Sequence, residues 1–472
     1  MDKFWDYIII GSGAGGSVLA ERLVRAGARC LMLEAGQRYR PEDYPANELH
    51  ANTRLMWHGG MDMSEDAGLL FLRGKTLGGG TVINQALLDR FDELAWSDWR
   101  ERSGIDDFSV EAMAPHYEAV ESELSLQTIP EQHWNGNARL YVEGFEACGY
   151  RWAPLRRGQR GCSPDNDCIQ CLGGCRRASK QSMAVTFLPR AEAAGLEILT
   201  ACHVDRVHPG PHYAVVQGRM RGRPHTWYAR KVVLAAGALG TTEILLRSGL
   251  ARHLPALGQH FWCHPQFMTL AMMRDVVDAH KGALQAVKSD DPRFRQQGFK
   301  LENVFAGPIA VSMLKAGFGP AHQRFMKDYR HLACIEVAVR DVTPGTLRLD
   351  NQSRLRIHKP LGDPEWARAR AGQQAIENIF EAVGAETIDH ARLRIGLHLM
   401  GGAVMGTDDR TSVVAPDGHV HGMPSLMVAD GSLFPSAPGI NPSLTIMAMA
   451  QRIAGIETGS VSSREQAEEV SA

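Results

Sequence analysis

The feature that most constrains this chain is a glycine-rich turn set between two short apolar runs at its start. Residues 6–10 read as a buried strand, Gly11, Ser12, Gly13, Ala14, Gly15 and Gly16 follow, a helical pattern covers 17–26, and a second apolar strand at 30–33 ends on Glu34. Strand, glycines, helix, strand and acid in that order form the unit that holds a dinucleotide. Gly11 allows the tight turn, Gly13 lets the backbone approach a pyrophosphate, and Gly16 lets helix and strand pack closely. Ala14 and Gly15 open the helix, whose N-terminus neutralises phosphate charge. Glu34 is placed to accept hydrogen bonds from a ribose hydroxyl, which argues against NADP and leaves NAD and FAD both open.

The 472 residues correspond to about three domain-sized units and suffice to bury a sizeable core. The formal charge of −2, with no basic run anywhere, gives no support for nucleic acid as a partner. No apolar stretch is long enough to cross a bilayer, which leaves peripheral contact open. The first strand begins at Asp6, so the expectation is a chain without a cleavable leader, cytoplasmic, with a peripheral place on the inner face of the membrane as its one extension. Nine cysteines suit a reducing compartment.

Periodicity places α/β sequence at both ends and less regular sequence between. Residues 73–84 form a glycine-rich loop entering a helix, and such a loop lets backbone donors approach a ligand closely; a plain surface loop would read the same way. Residues 111–124 have helical spacing, 196–207 and 231–236 read as strands returning to the nucleotide sheet, and 236–242 turns into a helix at 243–247. Short β-like segments from 267 to about 349 predict an antiparallel sheet. Near the C-terminus a buried strand at 425–429 delivers Asp430 and Gly431 at its carboxyl end, the edge where ligands bind in α/β sheets. Asn441 reads as a helix N-cap and Pro442 as the first helical position; a capping role alone would explain the pair. Residues 459–472 read as a polar, frayed tail.

Cys162, Cys168, Cys171 and Cys175 fall in the spacing C-x5-C-x2-C-x3-C. Three readings stand side by side: an iron–sulfur cluster, since the spacing echoes bacterial ferredoxins without reproducing it; zinc, which prefers two well-separated pairs; and plain structural thiols.

Taken together, residues 11–34, 74–88, 237–249 and 398–450 resemble the glucose-methanol-choline (GMC) oxidoreductases, flavoenzymes that oxidise alcohols with FAD. Leu88 and Thr242 depart from the family's usual signatures, and the second form looks more like the branch with cholesterol oxidase and long-chain alcohol oxidases. The resemblance implies an α/β fold: a Rossmann-type FAD-binding domain (1–90, 182–261, 397–458) interleaved with a substrate domain (91–181, 262–396) on an antiparallel β-sheet. It also implies His398 and Asn441 as the catalytic pair. Imidazole suits acceptance of the hydroxyl proton while hydride goes to the flavin, and Asn441 would hold the substrate oxygen. Further FAD contacts carried over are Gly78, Gly79 and Asn84, Val204 beside the adenine, Asp430 at a ribityl or phosphate-side hydroxyl, and the helix beginning at Pro442, whose N-terminus would stabilise negative charge on reduced flavin by up to about 2 kcal/mol. His264 falls on the family's Asp-His-Pro-like turn and is expected to be structural.

Some multi-subunit dehydrogenases of the family carry a cluster and pass electrons to a cytochrome, so the expected acceptor is a quinone, cytochrome or other redox protein, with oxygen as the alternative. The expected substrate is a small-molecule alcohol of hydrophobic kind, aliphatic, terpenoid or sterol-like, because residues 305–326 mix apolar and Met side chains with few charges; ordinary core packing would explain the same residues. The family's cyanohydrin lyase and light-driven decarboxylase give a second enzyme class, and a non-enzymatic flavin electron carrier a third reading.

Overall fold

Two eight-stranded sheets carry the molecule, and each follows from a different residue pattern. A computed structural model describes residues 3–162 and 171–469. In the first sheet the strands Met423–Val428, Arg223–Leu234, Phe4–Ile10, Cys30–Leu33 and Glu197–Leu199 lie side by side and parallel. Ile8, Ile9, Leu31, Met32, Val232, Val233 and Met427 are fully buried there, as expected of a parallel sheet covered on both faces. Ala214–Met220 and Cys202–Pro209 extend Arg223–Leu234 as an antiparallel meander.

The two ends of the described chain pack together. Helix Ala14–Arg25 buries Val18, Leu19 and Leu23 and lies against the final helix, Ser443–Glu469. Arg22 Nε donates to Gln451 Oε1 at 2.6 Å, and the Tyr7 hydroxyl donates to Glu457 Oε1 at 2.6 Å. That helix runs on to Glu469, through much of the polar segment expected to fray. Its beginning also differs from expectation. The Ile446 N–H bonds to the carbonyl of Pro442 at 2.9 Å, which makes Pro442 the cap and leaves Asn441 outside the helix.

The predicted antiparallel sheet is present. Its order is Asp62–Met63, Leu70–Phe71, Thr387–Gly401, Phe261–Met272, Leu332–Val339, Phe299–Asn303, Val287–Ser289 and Trp152–Pro154. Alternation sorts its faces. Phe267, Leu301, Ile335 and Val337 form one core with Tyr141 and Phe145 of helix Gly136–Ala147 and Ile376, Ile379 and Phe380 of helix Asp363–Ala382. The alternate positions, Gln266, Met268, Glu302, Cys334 and Glu336, line a cavity instead. Strand Thr387–Gly401 passes position 397, the expected domain division, without a break and carries His398 into that cavity.

Candidate active site

A cavity of about 540 Å³ opens at the carboxyl ends of the parallel strands, bounded by Gly11, Glu34, Ala235 and Asp430 on one side and by the second sheet on the other. Its glycines divide into two kinds. A Cβ on Gly11 would lie 2.3 Å from the Ala235 carbonyl oxygen, and one on Gly16 would lie 2.3 Å from the Gly11 carbonyl oxygen, so packing alone demands both. A Cβ on Gly13 would meet nothing within 4 Å, and the residue's φ of −70° suits any amino acid. Packing therefore does not explain Gly13, whereas close approach of a ligand to its backbone does. The loop after Gly74 folds onto this turn, with a Cβ on Gly79 only 2.9 Å from Gly13 Cα.

The acids near the turn serve the protein first. Glu34 Oε2 accepts from the Ser12 hydroxyl at 2.6 Å and the Ser12 N–H at 3.2 Å, while Oε1 accepts from Gly36 N–H at 2.7 Å. Asp430 Oδ2 accepts from Gly237 N–H at 2.8 Å and the Thr241 hydroxyl at 2.5 Å; Oδ1 accepts from the N–H and hydroxyl of Ser432 at 2.8 and 2.5 Å. With four bonds to protein donors, Asp430 ties helix Gly237–Arg247 to the Gly431 turn while lining the cavity.

His398 occupies a bulge. Trp262 pairs with Met400 and His264 with Leu397, so one extra residue is inserted on the His398 strand, and His398 takes φ of +57°. A non-glycine residue in this region is strained, and a bulge of this kind re-aims a side chain. His398 Nδ1 lies 2.9 Å from His264 Nδ1, and His264 Nε2 accepts from Gly439 N–H at 3.0 Å. Those contacts assign the protons. Nε2 of His264 holds a lone pair, so neutral His264 carries its hydrogen on Nδ1 and donates it to His398. The hydrogen of neutral His398 is then on Nε2.

Asn441 completes the group. Its Oδ1 accepts from the ammonium of Lys300, so its Nδ2 faces His398 Nε2, at 3.3 Å. Two donors thus converge on one point at the cavity wall. Burial, followed by the charge of Lys300, pulls His398 down to about 4, so at neutral pH it is uncharged. Burial and the neighbouring His398 hold His264 well below the usual imidazole range.

Residues 5–266 match the N-terminal GMC oxidoreductase family model, and residues 343–450 match the C-terminal one. The chain belongs to the GMC oxidoreductase family. It is 29% identical over 95% of its length to an uncharacterised GMC-type oxidoreductase of Mycobacterium tuberculosis, of which it covers 75%. It is 26% identical to the Arabidopsis thaliana long-chain-alcohol oxidase FAO4B, over 94% of this chain and 66% of the relative, and 28% identical to the paromamine 6'-oxidase of Streptomyces fradiae, over 99% and 93%. Its fold matches that of pyridoxine 4-oxidase from Mesorbium loti with a TM-score of 0.76 at 18% identity, covering 95% of this chain and 98% of that one. As a GMC oxidoreductase it is an FAD-dependent enzyme acting on alcohol groups.

The residues present fit that cofactor. Gly13, Ala14, Gly15, Glu34, Gly79, Asn84, Val204, Gly431 and Pro442 line the cavity beside His398 and Asn441. Gly16 and Gly78 stand behind it: Gly16 serves packing, and the Gly78 N–H donates to the Ser12 hydroxyl at 2.9 Å.

Sequence reasoning missed the polar floor of this cavity and the partner of its histidine. Burial and the charge of Glu302 hold the Glu336 carboxyl well above the usual range, while Lys300, at 2.5 Å, holds Glu302 below it. The signal was present as a lone Glu in the otherwise apolar strand Leu332–Val339.

Of the cysteine cluster, Cys168 lies outside the described residues. Arg157 Nη2 donates to Cys171 Sγ at 3.7 Å, the Lys180 N–H donates to Cys175 Sγ at 3.5 Å, and Cys162 packs against the core of the second sheet. Among the described residues no group of three or more His, Cys, Asp or Glu could hold a metal ion. The apolar stretch splits: Phe305, Val311 and Leu314 are buried in the cavity wall, Ile309 and Met313 line its exposed rim, and Phe318 is 94% exposed. Among the described residues no helix is long and apolar enough to cross a membrane.

Proposed function

We propose that the enzyme oxidises a small alcohol with an apolar body to its aldehyde or ketone, with the carbinol oxygen held between His398 and Asn441. The observation that carries this reading is the convergence of two donors, His398 Nε2–H and Asn441 Nδ2–H, 3.3 Å apart in the cavity wall. Neither satisfies the other, and an oxygen with two lone pairs satisfies both. Bound FAD supplies the acceptor for the hydride that leaves the carbinol carbon. The carbonyl product remains an acceptor for the same two donors.

The hydroxyl proton must also leave, and His398 is the group placed to take it. It can do so only with Nε2 free, which requires its hydrogen on Nδ1 and hence an Nδ1 lone pair on His264. That arrangement exists once Gly439 N–H releases His264 Nε2, so the Gly439 contact decides whether His398 donates or accepts. Both forms of the pair hold the same number of protons. The apolar wall of Phe305, Val311 and Leu314 supports an apolar substrate body. Electrons then pass to an acceptor that is not a nicotinamide.

The test is anaerobic mixing of the yellow protein with a panel of alcohols. Bleaching of the oxidised flavin band by at least one class of alcohol is expected, followed by recovery with oxygen or a quinone; a band unchanged across the panel overturns the reading.

A further inference from the structure

The inward face of the second sheet turns polar over a small area. Glu302 and Glu336 are directly paired across adjacent strands, and Gln266 lies one strand further on. The three are 1%, 2% and 1% exposed, and all line the cavity that holds His398 and Asn441. Their outward neighbours Leu301, Ile335, Val337 and Phe267 are apolar, so packing does not require polar groups in these strands. The polar groups are also incompletely matched. Lys300 bonds to Glu302 and to Asn441, which gives one ammonium for two carboxyls. Gln285 Nε2 donates to the second oxygen of Glu302 at 3.3 Å. Among the described residues, Glu336 Oε2 and Gln266 Oε1 have no hydrogen-bond partner. A buried acceptor without a donor is costly, and these two lie beside a carboxyl pair that one ammonium and one shared proton hold together.

We propose that Glu336 and Gln266 form a subsite for a protonated amine, so that the substrate is an amino alcohol whose ammonium rests on these two residues while its carbinol lies between His398 and Asn441. The inference rests on the alcohol-oxidising reading for the second half of that statement only. An ammonium supplies three donors, of which Glu336 Oε2 and Gln266 Oε1 take two. Without an amine, burial and then the ionised Glu302, to which it is hydrogen-bonded, keep the proton on Glu336 against the opposing charge of Lys300, while His398 stays neutral. When an ammonium arrives Glu336 ionises, and the released proton goes to solvent. A neutral alcohol leaves Glu336 protonated.

The test uses n-butylamine, which carries no hydroxyl and so cannot be oxidised as an alcohol, titrated calorimetrically into the FAD-loaded protein near pH 7 in two buffers of different ionisation heat. Expected are binding at least tenfold tighter than that of n-butanol and release of close to one proton per amine. Glu336→Gln should weaken the amine at least tenfold and abolish proton release, and Gln266→Leu should weaken it severalfold with proton release retained. Butanol binding as tightly as butylamine overturns the subsite, as does equal amine affinity in the wild type and the variants. If Glu336→Gln does not fold, Gln266→Leu decides by itself. Amine binding without flavin reduction by any alcohol would reject the proposed reaction and keep the subsite; flavin reduction without amine preference would do the reverse.

Discussion

Nδ1 of His264 lies 2.9 Å from Nδ1 of His398, and because Gly439 N–H fills the other nitrogen of His264, the hydrogen between the two rings belongs to His264. This leaves His398 no place on Nδ1 for a second proton, which accords with its low affinity for one. Replacing His264 by Leu should let His398 protonate more easily and move the acidic limb of flavin reduction upward in pH from near 4, with burial and the charge of Lys300 still keeping it below the ordinary imidazole value. Replacing it by Asn, whose amide can still donate to His398, should leave the limb low. Identical pH profiles for the two variants would remove His264 from this role.

His398→Ala should leave FAD bound, since the glycine turns that cradle it lie on the other sheet. Flavin reduction by alcohol should fall by about 10²–10⁴, the range for loss of a positioned acid–base group. Stopped-flow absorbance of the yellow variant checks this, and bleaching at the wild-type rate would exclude His398 from the chemistry.

Gly11 and Gly13 should respond differently to Val. At Gly13 the added Cβ meets no protein atom within 4 Å, so the fold should hold while the protein purifies colourless. At Gly11 the Cβ would lie 2.3 Å from a carbonyl oxygen and φ is +104°, so the thermal midpoint should fall by several degrees or the protein should not fold. Melting curves and the flavin-to-protein absorbance ratio separate the two effects.

The sign of the pH effect on stability follows from His398. Its folded value near 4 lies below the unfolded 6.5, so between those limits the unfolded chain binds more protons. Its contribution to stability therefore rises with pH across that window and is lost as pH falls through it, by at most about 1.4 kcal/mol per pH unit. Urea unfolding of the holoenzyme at pH 5 and 7 should show a steeper dependence for the wild type than for His398→Gln. Equal slopes would mean that His398 is not held neutral by its surroundings.

Much of the fold was legible because its signals are local. The turn at residues 11–16 is set by contiguous residues whose backbone geometry permits little else, and the strand alternation that predicts an antiparallel sheet is read within five or six positions. The resemblance placed His398 and Asn441, and the structure brings their side chains to 3.3 Å. Asn441 was also legible as a helix cap, and there the local signal misled: its amide is engaged by Lys300, 141 positions away, and the cap passes to Pro442.

By itself, the sequence determined a dinucleotide cradle between parallel strands and a second, antiparallel sheet, because side-chain periodicity and glycine placement act over a few residues. Tertiary structure alone decided that His264 meets His398 ring to ring, that Asp430 gathers four protein donors, and that Glu302, paired with Lys300, lies directly across from Glu336. Hydrogen bonds and charge pairing depend on distances of a few ångströms between residues as far apart as 193 positions, and strand register, which no local pattern encodes, helps to set those distances.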